Sequence, residues 1–135
     1  MKNILLISLA VFTLFACSKE DEYAAEKERL EGFWLLTDVT GGIAGTGYEA
    51  NFDHLQINDN DRYSLMVHDS FIQEGTYELS KEDDQLFIRF FPNATDTLIF
   101  DDQEKAITFD DEDTKLTLTD PCCDLYVYHF DKDGE

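Results

Sequence analysis

"FIQEGTYELSKEDDQLFIRFF", residues 71–91, holds two apolar runs separated by a short acidic break. In the first run Tyr77 and Leu79 alternate with Thr76, Glu78 and Ser80. In the second, Leu86, Ile88 and Phe90 alternate with Phe87, Arg89 and Phe91. A period of two sends successive side chains to opposite faces, which is the pattern of a β-strand and not of a helix. The break "KEDD" is rich in turn formers, so the stretch reads as a β-hairpin.

The same rhythm continues in both directions. Upstream lie "FWLLTDVT" (33–40), "FDHLQIN" (52–58) and "RYSLMVH" (62–68). Downstream lie "DTLIF" (96–100), "KAITF" (105–109), "TKLTLT" (114–119) and "LYVYHF" (125–130). The separators "DND", "DDQE", "DDED" and "DPCCD" are again acidic turns. Eight to nine short strands with almost no helix predict an all-β, antiparallel meander. The short connections make chain neighbours pair.

Alternation assigns an inward face: Trp34 and Leu36, Leu55 and Ile57, Tyr63, Leu65 and Val67, then Tyr77 and Leu79. It continues through Leu86, Ile88 and Phe90, Leu98 and Phe100, Ile107 and Phe109, Leu116 and Leu118, and ends with Tyr126, Tyr128 and Phe130. One apolar face per strand suits a closed barrel, and a meander without a long crossover favours a barrel over a sandwich. Phe87 and Phe91 break the polar side, and the N-terminal helix is expected to cover them.

That helix is expected within 23–31, "YAAEKERLE", made of good helix formers and stopped by Gly32. Tyr23, Lys27 and Leu30 share one face. The segment reads as a spacer that either docks on the barrel or stays loose. The domain is expected to span 23–135.

The start of the chain reads differently. Lys2 is followed by a dozen mostly apolar residues, Ile4 to Phe15, and then by the small Ala16. The run is far short of the ~20 residues that span a bilayer, so residues 1–16 read as a signal peptide. "LFAC" (14–17) resembles the lipobox of bacterial lipoproteins, in which cleavage leaves an acylated cysteine. That resemblance implies lipid attachment at Cys17. Each buried methylene contributes ~0.8 kcal/mol, so two or three acyl chains anchor a soluble domain stably. Residues 17–22 form an acidic tether. Its "KED" resembles the export signal that carries lipoproteins of the Bacteroidetes to the outer face of the outer membrane. The expected place is therefore the outer membrane, facing the exterior, with the membrane met through N-terminal acyl chains.

The chain has 135 residues and a formal charge of −20. Loss of residues 1–16 removes Lys2 and no acid, leaving 9 bases against 30 acids. Such a surface repels phosphate backbones, and nucleic acid is excluded as a partner. With Cys17 assigned to lipid, Cys122 and Cys123 remain. Adjacent Cα atoms lie ~3.8 Å apart, below the usual disulfide range of ~4.4–6.8 Å. A vicinal disulfide there would be a strained ring, and two thiols are the alternative.

Gly32, Trp34 and Leu36, the glycines of 41–47 and Gly75-Thr76-Tyr77 resemble, in that order, the lipocalin-like domain of small Bacteroidetes lipoproteins. The layout covers residues 30–132. The resemblance implies that Trp34 plugs the closed end. Lipocalins pack an arginine of the last strand over that tryptophan, where this chain has only Lys132. It also implies a cup for a small apolar or amphipathic ligand, with Trp34, Tyr63, Tyr77, Phe90 and Tyr128 as its lining. An eight-stranded barrel is just wide enough for its side chains to fill it, so those rings can line a cup or occupy it. A filled or narrow interior is the favoured expectation.

No catalytic set is visible. His54, His68 and His129 have outward parity, and no nucleophile sits with a base. "DND" (59–61) and "DDED" (110–113) lack the spacing of a calcium hand and read as solvated turns. No enzyme activity, metal or cofactor is expected. The first expectation is a lipid-anchored, cell-surface, ligand-binding protein. The alternative is a protein-interaction module with a filled barrel, an inhibitor or a structural partner in an envelope complex.

Overall fold

A computed structural model describes residues 21–42, 50–94, 96, 98–122 and 126–134. A short helix α1 (Ala24–Leu30) precedes eight strands: β1 (Gly32–Gly41), β2 (His54–Ile57), β3 (Arg62–Val67), β4 (Ser70–Glu82), β5 (Gln85–Pro92), β6 (Glu104–Phe109), β7 (Lys115–Thr119) and β8 (Tyr126–Lys132). They close in sequence order, each antiparallel to its neighbour, with β8 returning to β1. The fold is the all-β meander barrel with a short N-terminal helix that the alternation implies, lipocalin-like in layout.

The hairpin of residues 71–91 pairs Glu82 with Gln85, Leu79 with Ile88 and Tyr77 with Phe90. Its two-residue turn has φ of 47° at Asp83 and 66° at Asp84. Positive φ at both positions matches the right-handed twist of the strands, but it strains residues that carry a Cβ. Asp83→Asn combined with Asp84→Gly should therefore raise stability by about 1 kcal/mol. The check is a higher urea midpoint at an unchanged slope of free energy against urea concentration.

Two bulges adjust the alternation. In β1 the register against β8 skips Thr37, whose hydroxyl donates to the His129 carbonyl at 3.0 Å. The inward positions pass there from Leu36 to Val39. In β4 the register skips Ile72, since Leu65 faces Gln73 while Met66 faces Phe71. Strict alternation from Tyr77 would point Phe71 inward. The bulge turns it out, and it is 57% exposed.

One expected strand is absent. Residues 98–101 are not in the sheet, and Leu98, assigned inward, is 65% exposed. Phe100 is buried as expected. Pro92 ends β5, and the Asp96 N–H donates to the Asn93 carbonyl in a turn that lifts the chain off the ladder. Val67 is only half-buried, because it borders the His68-Asp69 turn between β3 and β4. At Gly75 the β5 backbone leaves no room for a side chain. A Cβ there would lie 2.0 Å from the Phe91 carbonyl oxygen.

The helix docks. Leu30 is fully buried and its carbonyl accepts the Trp34 indole N–H at 2.7 Å. Lys27 pairs with Asp21 and, at 2.6 Å, with Asp61 in the β2–β3 turn. Arg29 pairs with Asp113 in the β6–β7 turn and lies 4.2 Å from the Phe109 ring centroid. These contacts set the helix across one barrel end. They go to the end turns, whereas Phe87 and Phe91 lie half-buried on the barrel wall. The expected cover of those two rings is not among the helix contacts described.

Candidate functional site

The five residues expected to line a cup are all buried, and they lie in the core with Phe52, Phe100 and Phe130. Tyr63 stands edge-on to Phe90 at 4.6 Å between centroids, and Phe90 lies 4.9 Å from Phe100. Phe100 meets Tyr128 at 5.2 Å and Phe52 at 5.4 Å, both edge-on. Such pairs contribute ~0.5–1.5 kcal/mol each beyond their burial. Trp34 sits at the helix end, 6.3 Å from Phe109, with the Lys132 ammonium 5.1 Å from its ring. Lys132, at the end of β8, is thus the last-strand cation that meets this tryptophan. Burial pushes the hydroxyls of Tyr63 and Tyr77 up to about 12.

Three polar side chains enter the opposite, mouth end. Gln73 is fully buried in β4. Its amide NH₂ donates to the Tyr63 hydroxyl at 2.6 Å and the Phe100 carbonyl at 2.7 Å. Its carbonyl accepts the N–H groups of Ile99 at 2.7 Å and Phe100 at 3.0 Å. One side chain therefore does for residues 99–100 what a neighbouring strand would do. This is why Phe100 is held over the mouth without a ladder.

The other two are Lys105 and Asp120, an ion pair whose side chains are 4% and 11% exposed. They lie at adjoining ends of β6 and β7, one step beyond the Ala106–Thr119 pair. The ammonium is 5.0 Å from the Phe100 ring and 5.5 Å from Tyr128. Asp120 also joins Tyr126 by two backbone contacts, its N–H donating to the Tyr126 carbonyl and its carboxylate accepting the Tyr126 N–H. A surface groove of 280 Å³ opens above the pair, bordered by Leu98, Ile99 and Tyr126.

None of these three was singled out from the sequence, although parity held a signal. Gln73 shares parity with Tyr77, Lys105 with Ile107, and Asp120 with Leu118. What parity lacks is the partner of each.

The histidines stand apart from this cluster. Ile57 pairs with Tyr63, so His54 faces Met66, and His68 lies in the following turn. His54 Nδ1 is 2.9 Å from Asp53, whose other oxygen accepts the His68 backbone N–H. Burial opposes the charge on Asp53, but those two neighbours outweigh it and hold the carboxyl below its ordinary value. His129 meets the Thr40 hydroxyl at 3.2 Å. Asp110, in the "DDED" turn, accepts the N–H groups of Lys115 and Thr114, so its carboxylate shapes the turn. Among the described residues, no group of three or more His, Cys, Asp and Glu is placed to hold a metal.

Cys122 is exposed. Cys17, Cys123 and the glycine-rich residues 43–49 lie outside the described residues, so the acylation site and the vicinal pairing do too. No protein-family model matches this chain, and neither the curated proteins nor the solved structures compared with it give a match.

Proposed function

We propose that the chain is a lipoprotein of the outer membrane, anchored by acyl chains on Cys17 and facing the exterior. Its barrel serves as a non-enzymatic protein-interaction module, an inhibitor or a structural partner in an envelope complex. The observation that supports this reading over a ligand cup is the chain of touching rings from Tyr63 through Phe90 and Phe100 to Tyr128. Rings in mutual contact along the axis leave an apolar guest little room unless they move, and interiors packed in this way resist such movement. A closed barrel also offers no strand edge, so partners meet side chains on its wall, turns and mouth.

A second reading rests on the mouth groove. Leu98 and Ile99 border it beside Asp101 and Gln103, over the buried Lys105–Asp120 pair, and this mixed lining suits a small amphipathic molecule bound at the surface and not inside the barrel.

Native mass spectrometry of the protein extracted from its own membrane tests both. The expected spectrum shows the acylated chain without a small-molecule adduct, alone or with a protein partner. A retained small molecule would favour the groove. Cys17→Ser should abolish palmitate incorporation and move the protein to the soluble fraction. Unchanged membrane retention would reject the anchor.

A further inference from the structure

Across the outer wall of β1–β4, the register places four side chains in one row. Leu35 faces His54, His54 faces Met66, and Met66 faces Phe71. Adjacent strands are ~4.8 Å apart, so the row crosses roughly 15 Å of surface. Phe33, two residues from Leu35 on the same face, extends it. Phe33, Leu35 and Phe71 are all exposed, and the Ile72 bulge is what brings Phe71 into the row. A groove of 250 Å³ runs between Phe33, His54 and Met66, and its remaining walls are Asp69 and Asp133. Asp133 Oδ2 is 3.6 Å from His54 Nε2, and among the described residues no lysine or arginine lines the groove.

We propose that this wall is the docking face for a protein partner that presents an apolar side chain beside an arginine or lysine. This rests on the reading of the barrel as an interaction module and names its surface. The apolar row supplies area to bury, and the two exposed carboxylates supply the complementary charge. Charge also decides against a second copy of this chain. Face-to-face pairing would bring Asp69 and Asp133 against their own duplicates on anchored chains that each carry 9 bases against 30 acids. An anionic lipid surface is repelled in the same way.

The sequence supplies a clean probe. Met1 and Met66 are the only methionines and Met1 lies in the expected signal peptide, so a ¹³C-methyl-methionine spectrum of the acylated chain in zwitterionic nanodiscs has one reporter, in the groove. N-acetyl-Trp-Arg-amide is expected to shift the Met66 methyl saturably in the millimolar range. N-acetyl-Trp-Glu-amide should bind about tenfold more weakly, or not at all. Asp69→Asn with Asp133→Asn should erase that preference, and Phe71→Ser should remove the Met66 response to both peptides. Substitutions at these exposed positions leave the core intact.

Equal binding of the two peptides, or a silent Met66, overturns the proposal. So does a Met66 shift that depends on protein concentration alone, which would mean self-association. Broadening of Met66 by spin-labelled lipid would give the face to the bilayer and also overturn it. Failure of the interaction-module reading appears elsewhere, as a retained small molecule in the native mass spectrum or as peptide-induced shifts at Tyr63 and Phe90.

Discussion

Lys105→Met is expected to lower the free energy of unfolding by about 3–5 kcal/mol, because it leaves the Asp120 carboxylate buried without its counter-charge. A domain of this size is stable by roughly 5–15 kcal/mol, so the loss is a large fraction of the total and should be plain in an unfolding curve. The cost belongs to the orphaned charge more than to the lost contact. Combining Lys105→Met with Asp120→Asn should therefore recover most of the loss, leaving a deficit of about 1–2 kcal/mol. Asparagine keeps an acceptor for the Tyr126 N–H, so the β7–β8 connection retains that bond. Urea unfolding of both variants decides the matter. A single variant no worse than the double would mean that water reaches the pair and that the mouth is more open than the 4% exposure of Lys105 implies. Added salt should matter little to the wild-type protein here, since a buried pair is poorly screened.

Gln73→Leu should cost about 3–5 kcal/mol. Leucine resembles glutamine in volume, so packing is nearly preserved and hydrogen bonding is lost almost alone. Ile99 N–H, Phe100 N–H and the Phe100 carbonyl all lose their Gln73 partner. Each buried group left unpaired costs about 1–3 kcal/mol, and the loop relieves part of this by lifting toward water. Hydrogen exchange separates this account from a general loss of stability. The Ile99 and Phe100 amides should exchange at a rate set by local opening, while the β4–β5 ladder amides keep their protection. If those two amides stay as protected as the ladder, Gln73 does not hold the segment. Leu98→Ser, one residue away but exposed, should change stability by less than about 0.5 kcal/mol. The contrast would show that the segment is held by a side-chain amide and not by its most apolar residue.

These predictions converge on the mouth, where the reading of the sequence was thinnest. "DTLIF" alternates like its neighbours and reads as a strand. The structure turns it into a plug, since the amide of Gln73, 27 residues earlier, satisfies the backbone that a ladder would have paired. The outer-wall row has a similar origin. Phe71 shares parity with Tyr77 and belongs inside by alternation, yet the Ile72 bulge places it beside Met66 in solvent.

Taken alone, the sequence determined what depends on neighbours along the chain. Alternation at Tyr77–Leu79 and Leu86–Phe90, with acidic turns between runs, made the strands, their antiparallel order and most of the inward face. It did so because the two-residue period of a strand is set by backbone geometry at each residue. Only the tertiary structure decided which polar residues meet, that Lys105 lies against Asp120 and Gln73 against residues 99–100, and where the ladder skips a residue at Thr37 and Ile72. Those outcomes depend on register between distant segments. One extra residue in a strand exchanges its two faces, and nothing in the local pattern reports that exchange.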